Sequence, residues 1–122
     1  MSLSKIRNCF SPARAYPRLD TERTWLYCPE QQWTYSHHAS ITCFKDTLYA
    51  IWSNGREHED DVGQRILISH STDFFTWSEP APLIDSLPGK HSDVVLTAAG
   101  FHQHDGRLLA YAGQYEYDKN RL

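Results

Sequence analysis

Short apolar runs recur along this chain in matched pairs, each pair joined by a brief polar turn. Ile41-Thr42-Cys43-Phe44 leads through Lys45-Asp46 into Leu48-Tyr49-Ala50-Ile51-Trp52. Ala99-Gly100-Phe101-His102-Gln103-His104 leads through Asp105-Gly106 into Leu108-Leu109-Ala110-Tyr111. The two Leu-x-Ala cores start at Leu48 and Leu108, 60 residues apart. Aromatic and β-branched runs of this length around a tight turn predict antiparallel hairpins. The first unit therefore reads as an inner strand over residues 39–44 and a second over 48–52, ended by Asn54-Gly55. A polar loop over 53–64 leads to a third strand over 65–70. A short outer strand over 77–83 is confined to a sheet edge by Pro80 and Pro82. After a loop over 85–93, the next unit begins near Val94. Residues 24–28 are expected to form an edge or packing strand.

Antiparallel units repeated at this period point to a β-propeller, whose blades cannot each bury an apolar face alone. At about 40 to 50 residues per blade, this length allows two to three blades, whereas a ring typically closes from four or more. The expected fold is all-β, an incomplete β-propeller of antiparallel four-stranded blades. Residues 1–23, interrupted by Pro12 and Pro17, form an irregular segment, and residues 24–122 a partial propeller of roughly two blades. Missing C-terminal blades, or a homo-oligomer, would complete it.

Four Trp, seven Tyr and five Phe supply large side chains for sheet faces. A net charge of −3 leaves no basic footprint, so nucleic acid is not an expected partner. No run is long or apolar enough to span a bilayer, and residues 1–17 lack the apolar core of a signal peptide. Cys9, Cys28 and Cys43 cannot all pair within the chain, and buried thiols are expected.

An antiparallel meander places the start of the inner strand and the loop between strands two and three at one end of the blade. His37, His38, Asn54, Arg56, Glu57, His58, Glu59, Asp60 and Asp61 then share a rim, which His91, Ser92 and Asp93 join from the next connection. Asp46 and Asp105 fall in turns at the opposite end. In the acidic loop, a carboxylic acid beside another carboxylate gains proton affinity and suits protonation of a glycosidic oxygen, while Arg56 offers paired donors to an acidic substituent. Adjacent side chains on an extended strand face opposite ways, so one of His37 and His38 points to the central cavity and the other packs sideways. A neutral cavity histidine would remove the proton α to a uronate carboxylate, with Arg56 neutralising the enediolate and a Tyr protonating the leaving oxygen. Neither a metal nor another cofactor is expected, because no tight ligand spacing links the histidines to His91 or Asp93.

Ser71, Asp73 and Trp77, followed by Ser78-Glu79-Pro80, look like a shortened Asp box, one residue short before the Trp and with Phe75 where that motif usually has Gly. With the inner hairpin and the passage from Ser53-Asn54-Gly55-Arg56 to Gly63-Gln64-Arg65, residues 36–112 resemble the sialidase-like (BNR-type) propellers. A similar turn occurs in five-bladed glycosidase propellers, so blade number stays open. The resemblance implies a structural role for the box, with Asp73 accepting turn amides and Trp77 packing between sheets. It also implies a glycoside hydrolase acting on acidic sugars, an acidic glycan as partner, and compatibility with a secreted or periplasmic location. Arg56 matches a positively charged position of the family, and Asp60 or Asp61 falls near its acid/base Asp. His37-His38-Ala39-Ser40-Ile41 stands where the family has an Arg that grips the sugar carboxylate. The nucleophilic Tyr, its Glu and the other arginines would come from later blades. The expected catalytic residues are Asp60, Asp61, His38 and His37; Arg56, Asn54, His58, His91 and Asp93 are expected to bind substrate. The alternatives are a polysaccharide lyase using His37 or His38, and a noncatalytic module that stacks sugars on Trp and Tyr.

Overall fold

Lys45 and Asp46 both have positive φ (49° and 60°), as do Asp105 and Gly106 (48° and 69°). That pairing is the signature of two-residue primed hairpin turns, whose twist matches the strands they join. In the computed structural model, which describes residues 20–117, these turns connect β1 (Tyr35–Phe44) to β2 (Thr47–Gly55) and β5 (Val95–His104) to β6 (Arg107–Tyr115). Between the hairpins lie β3 (Arg65–Ser71) and β4 (Ala81–Ile84). β1 to β4 form a four-stranded antiparallel sheet in chain order, and β5 with β6 a two-stranded one. The fold is all-β, a four-stranded antiparallel blade followed by the leading hairpin of a second unit. No closed ring forms among the described residues, which fits an incomplete propeller. No helix there is long and apolar enough to cross a membrane.

Tyr35 and Val95 open their strands 60 positions apart, as do Thr47 and Arg107. Register repeats as well. A bulge between His37 and Ser40 on β1 recurs between Ala98 and Gly100 on β5. Each lets one strand carry an extra residue against its partner.

β2 alternates its side chains between two cores. Ile51 joins Ile66, Leu96 and Ala98 between the two sheets, flanked by Ile68, Ile84, Val94 and Phe101. Ala50 and Trp52 join Leu67 on the other face, covered by Leu26, Tyr27 and Trp77. Residues 24–28 therefore pack against the sheet without forming the expected strand, since they contribute side chains and no ladder. Two fully buried polar side chains pin the sheets together: Ser53 Oγ accepts the Ala98 N–H (2.8 Å), and Gln64 Nε2 donates to the Leu96 carbonyl (2.7 Å).

Two strand boundaries differ from the sequence pattern. β1 begins at Tyr35, because Ser36 and His37 still pair with Asn54 and Ser53. β4 is confined to Ala81–Ile84, with Pro82 paired at the sheet edge, where it withholds no ladder donor. Residues 20–23 belong to no strand or helix, and residues 1–19 of the expected irregular segment lie outside the described residues. The thiols of Cys28 and Cys43 are free and exposed, contrary to expectation. Cys28 lies in the strandless covering segment, and Cys43 takes an outward position in β1; Cys9 lies outside the described residues.

After β3 the chain turns back through the segment that resembles an Asp box. Ser71 Oγ accepts the amides of Asp73 (3.2 Å) and Phe74 (2.9 Å), and Asp73 Oδ1 accepts those of Phe75 (2.8 Å) and Thr76 (2.7 Å). Trp77 Nε1 donates to the Phe74 carbonyl (2.9 Å) while its ring covers the outer core. The left-handed residue of this turn is Phe74, with φ 70°.

The Thr76 and Phe75 amides hold the Asp73 carboxyl below its ordinary value of 3.8. A carboxylate depressed in the folded state contributes stability that is full above the unfolded value and lost as pH falls through the folded one. Stability is accordingly expected to decline below about pH 4, and Asp73→Asn should flatten that acid limb in denaturation measured across pH. Identical acid slopes for both proteins would contradict this.

β6 pairs only with β5 among the described residues, and Leu109, Tyr111 and Tyr115 are exposed along one face of it. An open edge beside apolar side chains templates further pairing. The 122-residue chain is expected to gain mass with concentration in light scattering, and Tyr111→Lys to reduce the gain. A monodisperse monomer at all concentrations would rule it out.

Candidate functional site

The β1 bulge builds the first half of the site. His38 adopts φ 52°, a left-handed conformation uncommon outside glycine, and the ladder skips from His37 to Ser40. The two histidines consequently do not face opposite ways, as a regular strand would require. Their ring centroids lie 4.4 Å apart, and both rings reach Glu59: His37 Nδ1 is 3.5 Å and His38 Nε2 3.7 Å from Oε1. The His37 side chain is 11% exposed and that of His38 48%. Gln64 fixes the His37 ring from behind, with Oε1 2.9 Å from Nε2. Because the Gln64 amide nitrogen already donates to Leu96, its oxygen must face His37, and His37 Nε2 must carry the proton.

The loop after β2 forms the second half. Asp61 closes it: Oδ2 accepts the Glu57 and His58 amides (2.5 and 2.9 Å), and Oδ1 lies 2.6 Å from His58 Nδ1. Burial raises the Asp61 carboxyl, but the Glu57 and His58 amides and the His58 ring outweigh it and hold the group below the usual carboxylate range. His58 Nδ1 also faces the Glu59 carbonyl at 3.2 Å. With two acceptors around it, Nδ1 carries a proton, and the ring it belongs to is 73% exposed.

Arg56, His58, Asp60, Asp61 and Tyr117 line one groove of about 430 Å³. Arg56 lies over the Trp33 indole, 4.4 Å from its centroid, and its carbonyl accepts both the amide and the hydroxyl of Thr34 (2.9 and 2.5 Å). Arg65 lies over the same ring at 4.0 Å but is engaged by Glu30 at 3.0 Å. No carboxylate pairs with Arg56 among the described residues, leaving its donors for a ligand. Tyr117 donates to the Asp60 carbonyl (3.3 Å). Burial and a hydrogen bond to the Asp60 side chain push the Tyr115 hydroxyl far above its ordinary value, so it keeps its proton.

Other expected residues stand further back. Asn54 is fully buried and spends its amide on the Tyr35 carbonyl (3.3 Å), Ser36 (3.3 Å), Tyr27 (3.4 Å) and Arg65 (2.8 Å). Asp93 lies beside Gly63, where an added Cβ would meet its carboxylate at 3.5 Å. His91 contributes its amide, which with that of Ser92 donates to Glu116. The connection over 85–93 thus sits at the same end of the sheet as the acidic loop. Glu59 belongs to the expected rim without an assigned role, and Tyr115 and Tyr117 are not among the residues expected to act. The 60-residue repeat was the available signal for Tyr115, since it places this residue where Gly55 stands in the first unit.

No family model matches the chain, and no curated protein matches it. A solved structure named "Sialidase" aligns with 80% of the chain at 17% identity and a TM-score of 0.65. The chain spans 11% of that protein's length. At this identity the likeness establishes the fold alone: the chain shares its all-β arrangement with part of that structure.

Proposed function

We propose that this chain supplies the active face of a glycan-processing propeller that cleaves acidic sugars by β-elimination, with His58 as the base. One observation carries the reading: Asp61 holds His58 Nδ1 at 2.6 Å, and the pair lines the groove that Arg56 also lines. An ionised Asp61 holds the Nδ1–H tautomer and stabilises the imidazolium formed when Nε2 takes a proton. Arg56, pre-oriented on Trp33, pairs with the substrate carboxylate and stabilises the charge that develops when the α-proton leaves. The electron pair forms the carbon–carbon double bond, the glycosidic bond at the β carbon breaks, and the leaving oxygen is protonated. Tyr117, which lines the same groove with its hydroxyl at the Asp60 carbonyl, is the available donor.

His37 and His38 do not line the groove, which favours His58 over them as the base. An ionised Asp61 is unsuited to act as the acid of a hydrolase. Hydrolysis would rest on Asp60, which shares the groove and contacts Tyr115.

The test is an assay on a panel of acidic polysaccharides that follows both reducing ends and the ultraviolet absorbance of an unsaturated uronate. His58→Ala and Asp61→Asn are each expected to lower kcat about a hundred- to ten-thousand-fold. Arg56→Ala should chiefly raise KM for substrates that carry a carboxylate. Reducing ends without unsaturated product, abolished by Asp60→Asn, would replace elimination with hydrolysis. Sugar binding with neither product would leave a noncatalytic glycan-binding module.

A further inference from the structure

The groups gathered behind the β1 bulge are arranged for a cation. Gln64 is fully buried, and its amide nitrogen is committed to the Leu96 carbonyl, so the hydrogen on His37 Nε2 is spent on Gln64 Oε1. His37 Nδ1 points toward Glu59 Oε1 at 3.5 Å, and this nitrogen is buried without a hydrogen-bond partner. A buried ring nitrogen and a carboxylate oxygen that face each other at this distance require a proton or a cation between them. His38 Nε2 faces the same oxygen at 3.7 Å, and one donor atom from each residue lies within 4.8 Å of the others.

In a tetrahedral zinc complex, with bonds of about 2.0 to 2.1 Å, neighbouring ligand atoms stand roughly 3.4 Å apart. The distances from both histidines to Glu59 are close to that spacing. Two imidazoles and one carboxylate suit a borderline transition metal, whereas calcium requires a cage of oxygens. The Gln64 contact is the outer hydrogen bond that orients a ligating histidine and sets which nitrogen is free.

We propose that His37 Nδ1, His38 Nε2 and a Glu59 carboxylate oxygen bind a divalent transition-metal ion of the zinc class, with a fourth position open to water or a ligand oxygen. The site differs from the His58–Asp61 pair, and the proposal does not depend on the elimination reading. Its structural effect is to cross-link β1 to the loop that carries His58. Spacing in sequence concealed it: the three ligands meet only because the bulge turns His38 to the side of His37 and the loop folds Glu59 back over both.

The full chain, stripped with a chelator, is titrated with Zn²⁺ by calorimetry and with Co²⁺ by visible absorption. Expected are uptake of a single equivalent, a higher Tm with zinc, and cobalt bands of low-symmetry four-coordination. Glu59→Gln and His38→Ala should each weaken zinc binding more than tenfold, and Gln64→Leu about ten- to a hundredfold. His58→Ala should bind zinc as the unmodified protein does, which separates this site from the dyad and from adventitious binding by surface histidines. Nitrogen NMR of the unmodified protein needs no substitution: zinc should shift the His37 Nδ1 and His38 Nε2 resonances. Absence of uptake, unmoved ring resonances at saturating zinc, or full affinity in Glu59→Gln would overturn the proposal.

Discussion

The arrangement depends on one buried amide. Gln64 has no exposed surface and stands where β1, the entry to β3 and β5 meet. Its nitrogen satisfies Leu96 on the second sheet and its oxygen satisfies His37 on the first, so one side chain ties both sheets to the site. Leaving either buried partner unpaired costs about 1 to 3 kcal/mol. The amide therefore has a single acceptable orientation, and that orientation dictates the His37 tautomer. Ser53 repeats the device through the Ala98 amide, next to the bulge of the second hairpin. Sheet packing and site chemistry are thus consequences of the same hydrogen bonds.

The bulge is the second constraint. Both hairpins carry it at the same register, but their left-handed residues differ: Gly100, with φ 108°, in the second and His38, with φ 52°, in the first. A glycine takes such a conformation freely, while a histidine there is strained by about 1 kcal/mol or more. The first hairpin sustains the strain because the surrounding ladder and Gln64 overdetermine it. The result is a pair of imidazoles on one side of a strand. In the second hairpin the position matching His38 is Ala98, whose side chain is buried in the core between the sheets.

The loop over 56–64 gains its order from Asp61, whose carboxylate gathers two amides and one imidazole. Fixing those partners is what keeps the carboxyl ionised, so the loop's stability and the polarity of its chemistry are linked. Arg56 is held by its carbonyl and by the Trp33 face, while its hydrogen-bonding edge stays open. A residue fixed in this way loses little entropy on meeting a carboxylate, which suits recognition.

What the amino-acid sequence determined by itself is local. The paired apolar runs, the two-residue turns at Lys45-Asp46 and Asp105-Gly106, the 60-residue repeat and the Asp-box turn all express interactions between residues close in the chain, so period and turn chemistry suffice to read them. The convergence of β1 and the acidic loop on one rim was also legible, because strand reversal in a meander fixes it. The tertiary structure alone decided the rest. Only the packed sheets show His38 beside His37, Glu59 as the carboxylate that reaches them, Asp61 as the partner of His58, and Asn54 as scaffold. Residues 24–28 cover a core without joining a ladder, and Cys28 and Cys43 remain exposed for related reasons of placement. Each of these turns on a one-residue slip in register or on a contact between distant segments. In a sheet whose side chains alternate with period two, one extra residue reverses which face a side chain occupies, and no local pattern announces it.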